Sequence, residues 1–252
     1  MLRTDFRFSL SASKTKGILL DIEGTTTPIS FVYDVLFPFA RGRVTDYLEK
    51  QFDRADVRRD LELLRREHDA EAGPERPQLS SHSRAEEIAS VTAYLHWLMD
   101  KDRKSTALKS LQGKIWEQGY REGRLKSQVF PDVLPAFQRW QAAGLRIAIF
   151  SSGSVLAQKL LFAHTEQGDL TEFIDNYFDT TTGPKAEVQS YRKIAATLEL
   201  KETEVLFISD VVAELDAARE SGMNTLLCLR PGNHQQPSNH QHSIIETLEE
   251  VG

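Results

Sequence analysis

The sequence predicts an α/β protein, a doubly wound domain on a parallel sheet with a second, all-α domain inserted into it. Three observations predict it. Short unbroken apolar runs recur along the chain, each closing in a polar turn. Single helical segments with recognisable caps lie between them. One long interval, from Pro28 to Gln128, breaks that rhythm and carries helical periodicity alone.

Taken in order, Met1–Lys16 lacks the apolar core of a secretory signal and reads as a frayed arm. Gly17-Ile18-Leu19-Leu20 then runs into Asp21, as suits a strand buried on both faces of a parallel sheet. The interval that follows is too long for a simple connection. Ile88, Val91, Leu95 and Leu98 mark one helical face in it, and Leu108, Leu111 and Ile115 another, at spacings of three and four. Gly73 to Ser83, with Pro74 and Pro77, reads as a loop between helices. Asp132 is placed to cap a helix through Val133, Phe137 and Trp140 that stops at Gly144. Leu145 to Phe150 is the second apolar run, ending in Ser151-Ser152-Gly153. Ser154 is placed to cap a helix with Leu156, Leu160 and Leu161, and Tyr177-Phe178 before Asp179 is a weaker strand. Helices over Tyr191–Leu198 and Ala213–Ser221 flank the run Val205–Ile208, which precedes Ser209-Asp210. A last run, Thr225–Leu229, leads to Arg230-Pro231-Gly232, and the His-rich tail Asn233–His242 reads as a solvated connection to a final helix. The divisions expected are therefore an arm over 1–16, a core over 17–30 and 129–252, and a helical domain over 31–128.

Composition narrows the function classes. The chain has 252 residues, 31 Lys+Arg against 37 Asp+Glu, and a formal charge of −6. Its 40% hydrophobic and 27% charged content is ordinary for a folded soluble chain. The acidic balance argues against a chain-wide nucleic-acid footprint, and no apolar stretch nears the ~18 residues of a membrane span. The single cysteine, Cys228, has no intrachain disulfide partner. A soluble cytoplasmic enzyme or regulator, away from nucleic acid and membrane, is the expectation.

In open α/β sheets the ligand crevice lies beyond the carboxyl ends of the strands, so the residues that follow the apolar runs carry the information. Asp21 and Glu23 follow the first run, Ser151 to Ser154 the second, Lys185 the weak strand, and Asp210 with Glu214 the next. Each has a plain structural reading: strand-end Asp as turn former, Ser-Ser-Gly-Ser as capped loop, Lys185 as surface lysine, Asp210 and Glu214 as helix-start acids. Together, in one order after successive strands, they suit phosphoryl transfer. Asp21 and Asp210 would hold Mg²⁺ through hard oxygen ligands, and Lys185 would offset the repulsion between a carboxylate and a phosphate ester. The Ser151 hydroxyl, the backbone near Gly153 and the following helix N-terminus would receive phosphate oxygens, and Glu23 would shuttle protons.

This ordered set resembles the haloacid dehalogenase superfamily of Mg²⁺-dependent phosphatases, whose first motif is matched by Asp21-Ile22-Glu23-Gly24-Thr25 with Glu in place of the second Asp. Leu20 to Ile29, Asp102 to Gly113, Ser151 to Ser154 with Ala157 to Phe162, Ser190 to Ala195 and Arg230 to Asn233 are similar to the narrower enolase-phosphatase family. The resemblance implies a Rossmann-like three-layer core with a helical cap after the first motif. It implies Asp21 as nucleophile and metal ligand, and Glu23 as general acid-base that also binds the metal through its carbonyl. Ser151 and Ser152 would hold the phosphate, Lys185 would steady the phosphoenzyme, and Asp210 would bind the one Mg²⁺ of each subunit. Glu214 stands where the superfamily's last motif often has a second Asp, with Ser209 in place of its Gly, a departure that counts against a direct metal role for Glu214. The implied reaction is enolisation and then dephosphorylation of 5-methylthio-2,3-dioxopentyl phosphate in methionine salvage, by a monomer whose cap closes over the crevice and selects the methylthio chain.

Within the cap, Arg103, Lys104 and Lys109 are candidates for substrate contact, whereas Trp97, Trp116 and Phe31 read as core. His234, His240 and His242 read as part of a mobile tail. Rival readings are another capped phosphatase or phosphomutase of the superfamily, a dehalogenase, a signalling receiver and a silent scaffold. A receiver pairs its acids ahead of the phosphorylated Asp and has no large insertion. A dehalogenase has no leaving alkoxide for Glu23 to protonate.

Overall fold

The computed structural model describes residues 7–71 and 75–252. Its strands are β1 Gly17–Leu20, β2 Arg146–Phe150, β3 Asn176–Phe178, β4 Val205–Ser209, β5 Asn224–Cys228 and β6 Ser243–Ile245. All pair in parallel, in the order β3-β2-β1-β4-β5-β6. Each of the five apolar runs is thus a strand. The central ones are short and β-branched or leucine-rich, and they are buried throughout because both faces are covered.

Four helices serve this sheet: α6 Val133–Ala142, α7 Val155–Ala163, α8 Val188–Thr197 and α9 Val212–Ser221 (five earlier ones belong to the insertion). The strand order grows one way from β1 to β3, then restarts beside β1 at β4 and grows the other way. With right-handed crossovers that reversal puts α6 and α7 on one face and α8 and α9 on the other. Leu19, Ala148, Phe150 and Phe207 share one cluster with Tyr191 and Ile194 of α8 and Leu215 and Ala218 of α9. On the α6 and α7 side, Phe137 packs at a tilt against Trp140 and Phe162.

By contact, the chain divides into two compact units, one holding the sheet (up to Val32 and from Lys126 on) and one spanning Tyr33–Leu125. The second is helical: α1 Phe37–Arg41, α2 Val44–Gln51, α3 Ala55–Ala70, α4 Arg84–Asp100 and α5 Thr106–Arg121. Every residue of the two apolar faces read from the sequence is buried there, from Ile88 to Leu98 on α4 and from Leu108 to Ile115 on α5. Part of the Gly73–Ser83 loop, through Pro74, lies outside the described residues, and Glu75–Ser83 holds neither helix nor strand. No helix among the described residues is long and apolar enough to cross a membrane.

Three local expectations are corrected. The chain ends not in a helix but in β6 and a 3₁₀ turn, Leu248–Glu250. The arm, of which residues 1–6 lie outside the described part, is held from Phe8 on: Phe8 N–H donates to Glu250 O at 2.8 Å, and Gly252 N–H donates to Phe8 O at 3.1 Å. Backbone partners at the far end of the chain override the polar composition that suggests fraying. Asp132 precedes α6 but makes no side-chain cap; its Oδ2 accepts Leu248 N–H at 2.6 Å instead.

Candidate active site

Register sets the stage. Leu20 pairs with Ile149 on one side and Ile208 on the other, so Asp21 stands level with Phe150 and Ser209 at the carboxyl edge. Asp21 N–H extends the ladder to Ile208 O at 3.0 Å. Ser151 and Asp210 therefore leave the same edge one residue further on.

Lys185 arrives from the loop after β3, which α8 holds: Tyr191 Oη donates to Lys185 O at 2.6 Å, and Ser190 Oγ donates to Pro184 O at 2.7 Å. Its Nζ lies 2.5 Å from Asp21 Oδ1 and 2.6 Å from Glu214 Oε2. Only 9% of the lysine side chain and 7% of the aspartate's are exposed, so this bridge is shielded from water. Burial alone would drive the lysine towards neutrality, but Asp21 and Glu214 more than reverse that and hold its pKa above the ordinary value. Ser209 Oγ also donates to Glu214 Oε2, at 3.0 Å.

Negative charge is in excess here. Burial, then the charges of Asp21 and Glu214, push Asp210 up to about 7. Burial and the charge of Asp21 push Glu23 up to about 7 as well, against the pull of Lys185. Glu214 is raised by burial first and Asp21 second. One lysine thus faces four crowded carboxyls, an imbalance that a hard divalent cation would relieve. Gly24 keeps space open beside them. It sits at φ +77°, and a Cβ there would stand 2.4 Å from Asp210 Oδ2 and 3.0 Å from Asn233 Oδ1. No ready-made cage of three His, Cys, Asp or Glu side chains occurs among the described residues. Mg²⁺ itself keeps several waters and takes only one or two carboxylates. Asp21 and Asp210, with Glu23 beside them, are the residues that could hold it.

The Ser151 loop is the second part of the site. Ser151 is buried, its N–H donates to Phe178 O at 3.1 Å, and its Oγ accepts Gly153 N–H at 3.1 Å. Ser152 is exposed. Ser154 caps α7 by accepting Ala157 N–H at 3.3 Å, and Asp179 Oδ2 accepts Val155 N–H at 3.3 Å. Two amides of the helix start, expected to serve phosphate oxygens, are therefore already engaged, one by the helix's own Ser154 cap and one by strand-end Asp179.

Several supporting residues make contacts that the sequence reading does not assign to them. Glu214 faces Lys185 and Ser209, a contact that its spacing from Asp210 does not reveal. Asn233 Nδ2 donates to Gly24 O at 2.9 Å and to Cys228 O at 3.2 Å. Arg230 Nε donates to Thr25 O at 3.2 Å and Nη1 to Glu246 O at 2.9 Å, with the guanidinium over Phe130. Its Nη2 is 2.8 Å from Asp132 Oδ2, a charge contact without hydrogen-bond alignment. The signal for both was their place directly after an apolar run. Cys228 is buried, which pushes its thiol up to about 12 and leaves it inert.

In the helical unit, Arg103 pairs with Glu71 and lies over Trp97, while Lys104 and Lys109 are exposed. Glu67 takes up the start of α5, accepting Thr106 N–H at 3.0 Å and the Ser105 hydroxyl at 2.5 Å. Trp116 is buried and donates to Leu36 O, and Phe31 in the sheet unit is buried too. The His-rich tail is not wholly solvated. His242 is buried, between Thr225 Oγ1 at 2.8 Å and Asp216 Oδ1 at 3.0 Å, and burial lowers its pKa.

Residues 15–222 match the family model of haloacid dehalogenase-like hydrolases. The enolase-phosphatase E1 of Synechococcus elongatus is 58% identical over 86% of this chain and 89% of its own length. That of Parasynechococcus marenigrum is 45% identical over 93% and 96%. The crystal structure of the UTR4 protein of Saccharomyces cerevisiae superposes with a TM-score of 0.75 at 35% identity, over 92% of this chain and 98% of that one.

Proposed function

The chain belongs to the haloacid dehalogenase-like hydrolases and, among them, to the enolase-phosphatase family, and from that premise we propose how its residues carry the reaction. The enzyme is an acireductone synthase of methionine salvage. It enolises 5-methylthio-2,3-dioxopentyl phosphate and then hydrolyses the phosphate ester.

The observation that carries the reading is the buried bridge from Lys185 to Asp21 and Glu214, with Glu23 and Asp210 crowded beside it. Glu23 takes a proton from the phosphate-bearing carbon while a water molecule supplies one to the neighbouring carbonyl oxygen, which gives the enol. Asp21 Oδ then attacks phosphorus, the bond from phosphorus to the enol oxygen breaks, and Glu23 returns a proton to that oxygen. Water next cleaves the aspartyl-phosphate, releasing inorganic phosphate and restoring Asp21. Lys185 holds the Asp21 carboxylate in place and offsets the approach of the phosphate dianion. Glu214 keeps the lysine charged and aimed. Ser151 and Ser152 receive the phosphate oxygens on the neighbouring strand end. Asp21, Asp210 and the Glu23 backbone would hold Mg²⁺, which when bound neutralises charge on the phosphoryl group. The helical unit selects the methylthio chain, in a soluble enzyme of the cytoplasm that works as a monomer.

Purified protein with Mg²⁺ and the diketone phosphate tests this, with ultraviolet absorbance and released phosphate followed together. Absorbance from the enol must rise before or with phosphate release. Phosphate release with no enol phase would mark a plain phosphatase, and undiminished turnover in excess chelator would remove the metal from the scheme.

A further inference from the structure

Gln158 is a buried amide on the helix face that it shares with Leu161 and Phe162. It lies on α7 and is 1% exposed. Its Nε2 donates to two carbonyls, Gly153 O at 2.8 Å and Phe178 O at 2.8 Å. The two acceptors fix which way the amide lies, and its Oε1 is left buried with no partner. A buried unpartnered oxygen is a standing cost that a hydrocarbon side chain would not carry. The side chain is therefore better understood by what its two donors hold.

They hold the Ser151 loop at both ends. Phe178 O also accepts the Ser151 N–H, so one carbonyl anchors the start of the loop to Gln158 and to the sheet edge at once. Gly153 lies at the other end, its N–H held by Ser151 Oγ at 3.1 Å but its side open: a Cβ added there would meet only Ser151 Oγ, at 3.6 Å. A trans peptide points its C=O and N–H in opposite directions. Pinning Gly153 O to Gln158 therefore turns the Ser154 N–H the other way and fixes the plane of that peptide.

We infer that Gln158 is a positioning residue for phosphate recognition, presetting the Ser151–Ser154 loop through the Gly153 carbonyl without touching the substrate. The inference rests on the proposed role of Ser151 and Ser152 as the phosphate-holding groups. It follows that the loop loses affinity for the phosphoryl group when the two donors are removed, while the metal side of the site on β1 and β4 keeps its own.

Two variants decide it, Gln158→Leu, which keeps bulk and removes all polarity, and Gln158→Glu, which keeps shape and replaces the donors by acceptors. For each, the inhibition constant of inorganic phosphate, KM and kcat for the diketone phosphate, and the Mg²⁺ midpoint in a thermal-shift titration without phosphate are measured. Both variants should raise the phosphate inhibition constant and KM about tenfold or more, with the Mg²⁺ midpoint within about twofold of wild type. Gln158→Leu should melt within a few degrees of wild type, since it also removes the unpartnered oxygen. An unchanged phosphate constant in a folded variant overturns the inference, and so does a loss of phosphate and Mg²⁺ affinity in step. Should Gln158→Leu not fold, the Gln158→Glu constants decide alone. A wild-type enzyme that neither releases phosphate nor is inhibited by it would refute the phosphatase reading itself, a result separate from any difference between variants.

Discussion

Replacing Arg230 by Met should destabilise the sheet unit severely, and the size of the loss follows from what the guanidinium touches. Only 4% of the arginine side chain and 9% of that of Asp132 are exposed, so deletion strands a buried carboxylate. Breaking a buried pair in this way costs about 3–5 kcal/mol. Thr25 O and Glu246 O lose their donors as well, whereas Asp132 Oδ2 keeps the Leu248 N–H. At about 2–4 °C per kcal/mol for a chain of this size, the melting temperature should fall by about 10 °C. The assay is a double-mutant cycle with Asp132→Asn, by urea denaturation. Neutralising the stranded carboxylate should return part of the loss, with a coupling energy of about 2 kcal/mol. Because Thr25 lies in the turn that carries Glu23, kcat should fall too. A loss below about 1 kcal/mol, or strictly additive single mutants, would show that the contact carries no weight in the fold.

Asp21→Asn should fold normally yet lose at least about a thousandfold in phosphate release, with no phosphate trapped on the protein by acid quench; retained turnover would exclude it as nucleophile. Gly24→Ala places a methyl against Asp210 Oδ2 at a positive φ, and the Mg²⁺ midpoint should rise at least about tenfold; wild-type affinity would contradict the crowding. In chelator, Asp210 and Glu23 keep protons up to about 7 in the fold, whereas the unfolded chain releases them near 3.8 and 4.5. The folded state then binds more protons across that window, so these two groups reduce stability as pH rises through it, by roughly 2–4 kcal/mol each. Thermal melts of wild type against Asp210→Asn, in chelator at pH 5.5 and 8, check this; the variant should gain on wild type at the higher pH, and a flat difference refutes it. Glu23→Asp shortens the reach by one methylene and should impair enolisation more than hydrolysis of a simple phosphate ester; equal losses in both assays would reject reach as the reason for Glu.

Much of the core was legible because its signals are local. Strand runs such as Val205–Ile208 must be apolar on both faces, and the stripes on α4 and α5 repeat at helical spacing. What stayed hidden depends on partners distant in sequence. Ser243–Ile245 is too short to declare itself and becomes a strand only because β5 offers an edge. Asp132 carries a local cap signal, yet Arg230 and Leu248 claim its carboxylate. His242 sits in a polar tail, but Thr225 and Asp216 satisfy its ring and allow burial. At the site, order after the strands singled out Asp21, Lys185 and Asp210, whereas the pairing of Glu214 with Lys185 is a matter of side-chain reach that spacing does not encode.

Phe130 N–H donates to Thr26 O at 2.9 Å, so the two strands of chain that leave and re-enter the sheet unit are stitched together at their base. Whatever is spliced between those stitches begins and ends at neighbouring points, and entropy charges little for its length. Residues 33–125 are thereby open to replacement as a cassette, while the sheet unit that carries Asp21 and Lys185 keeps its fold.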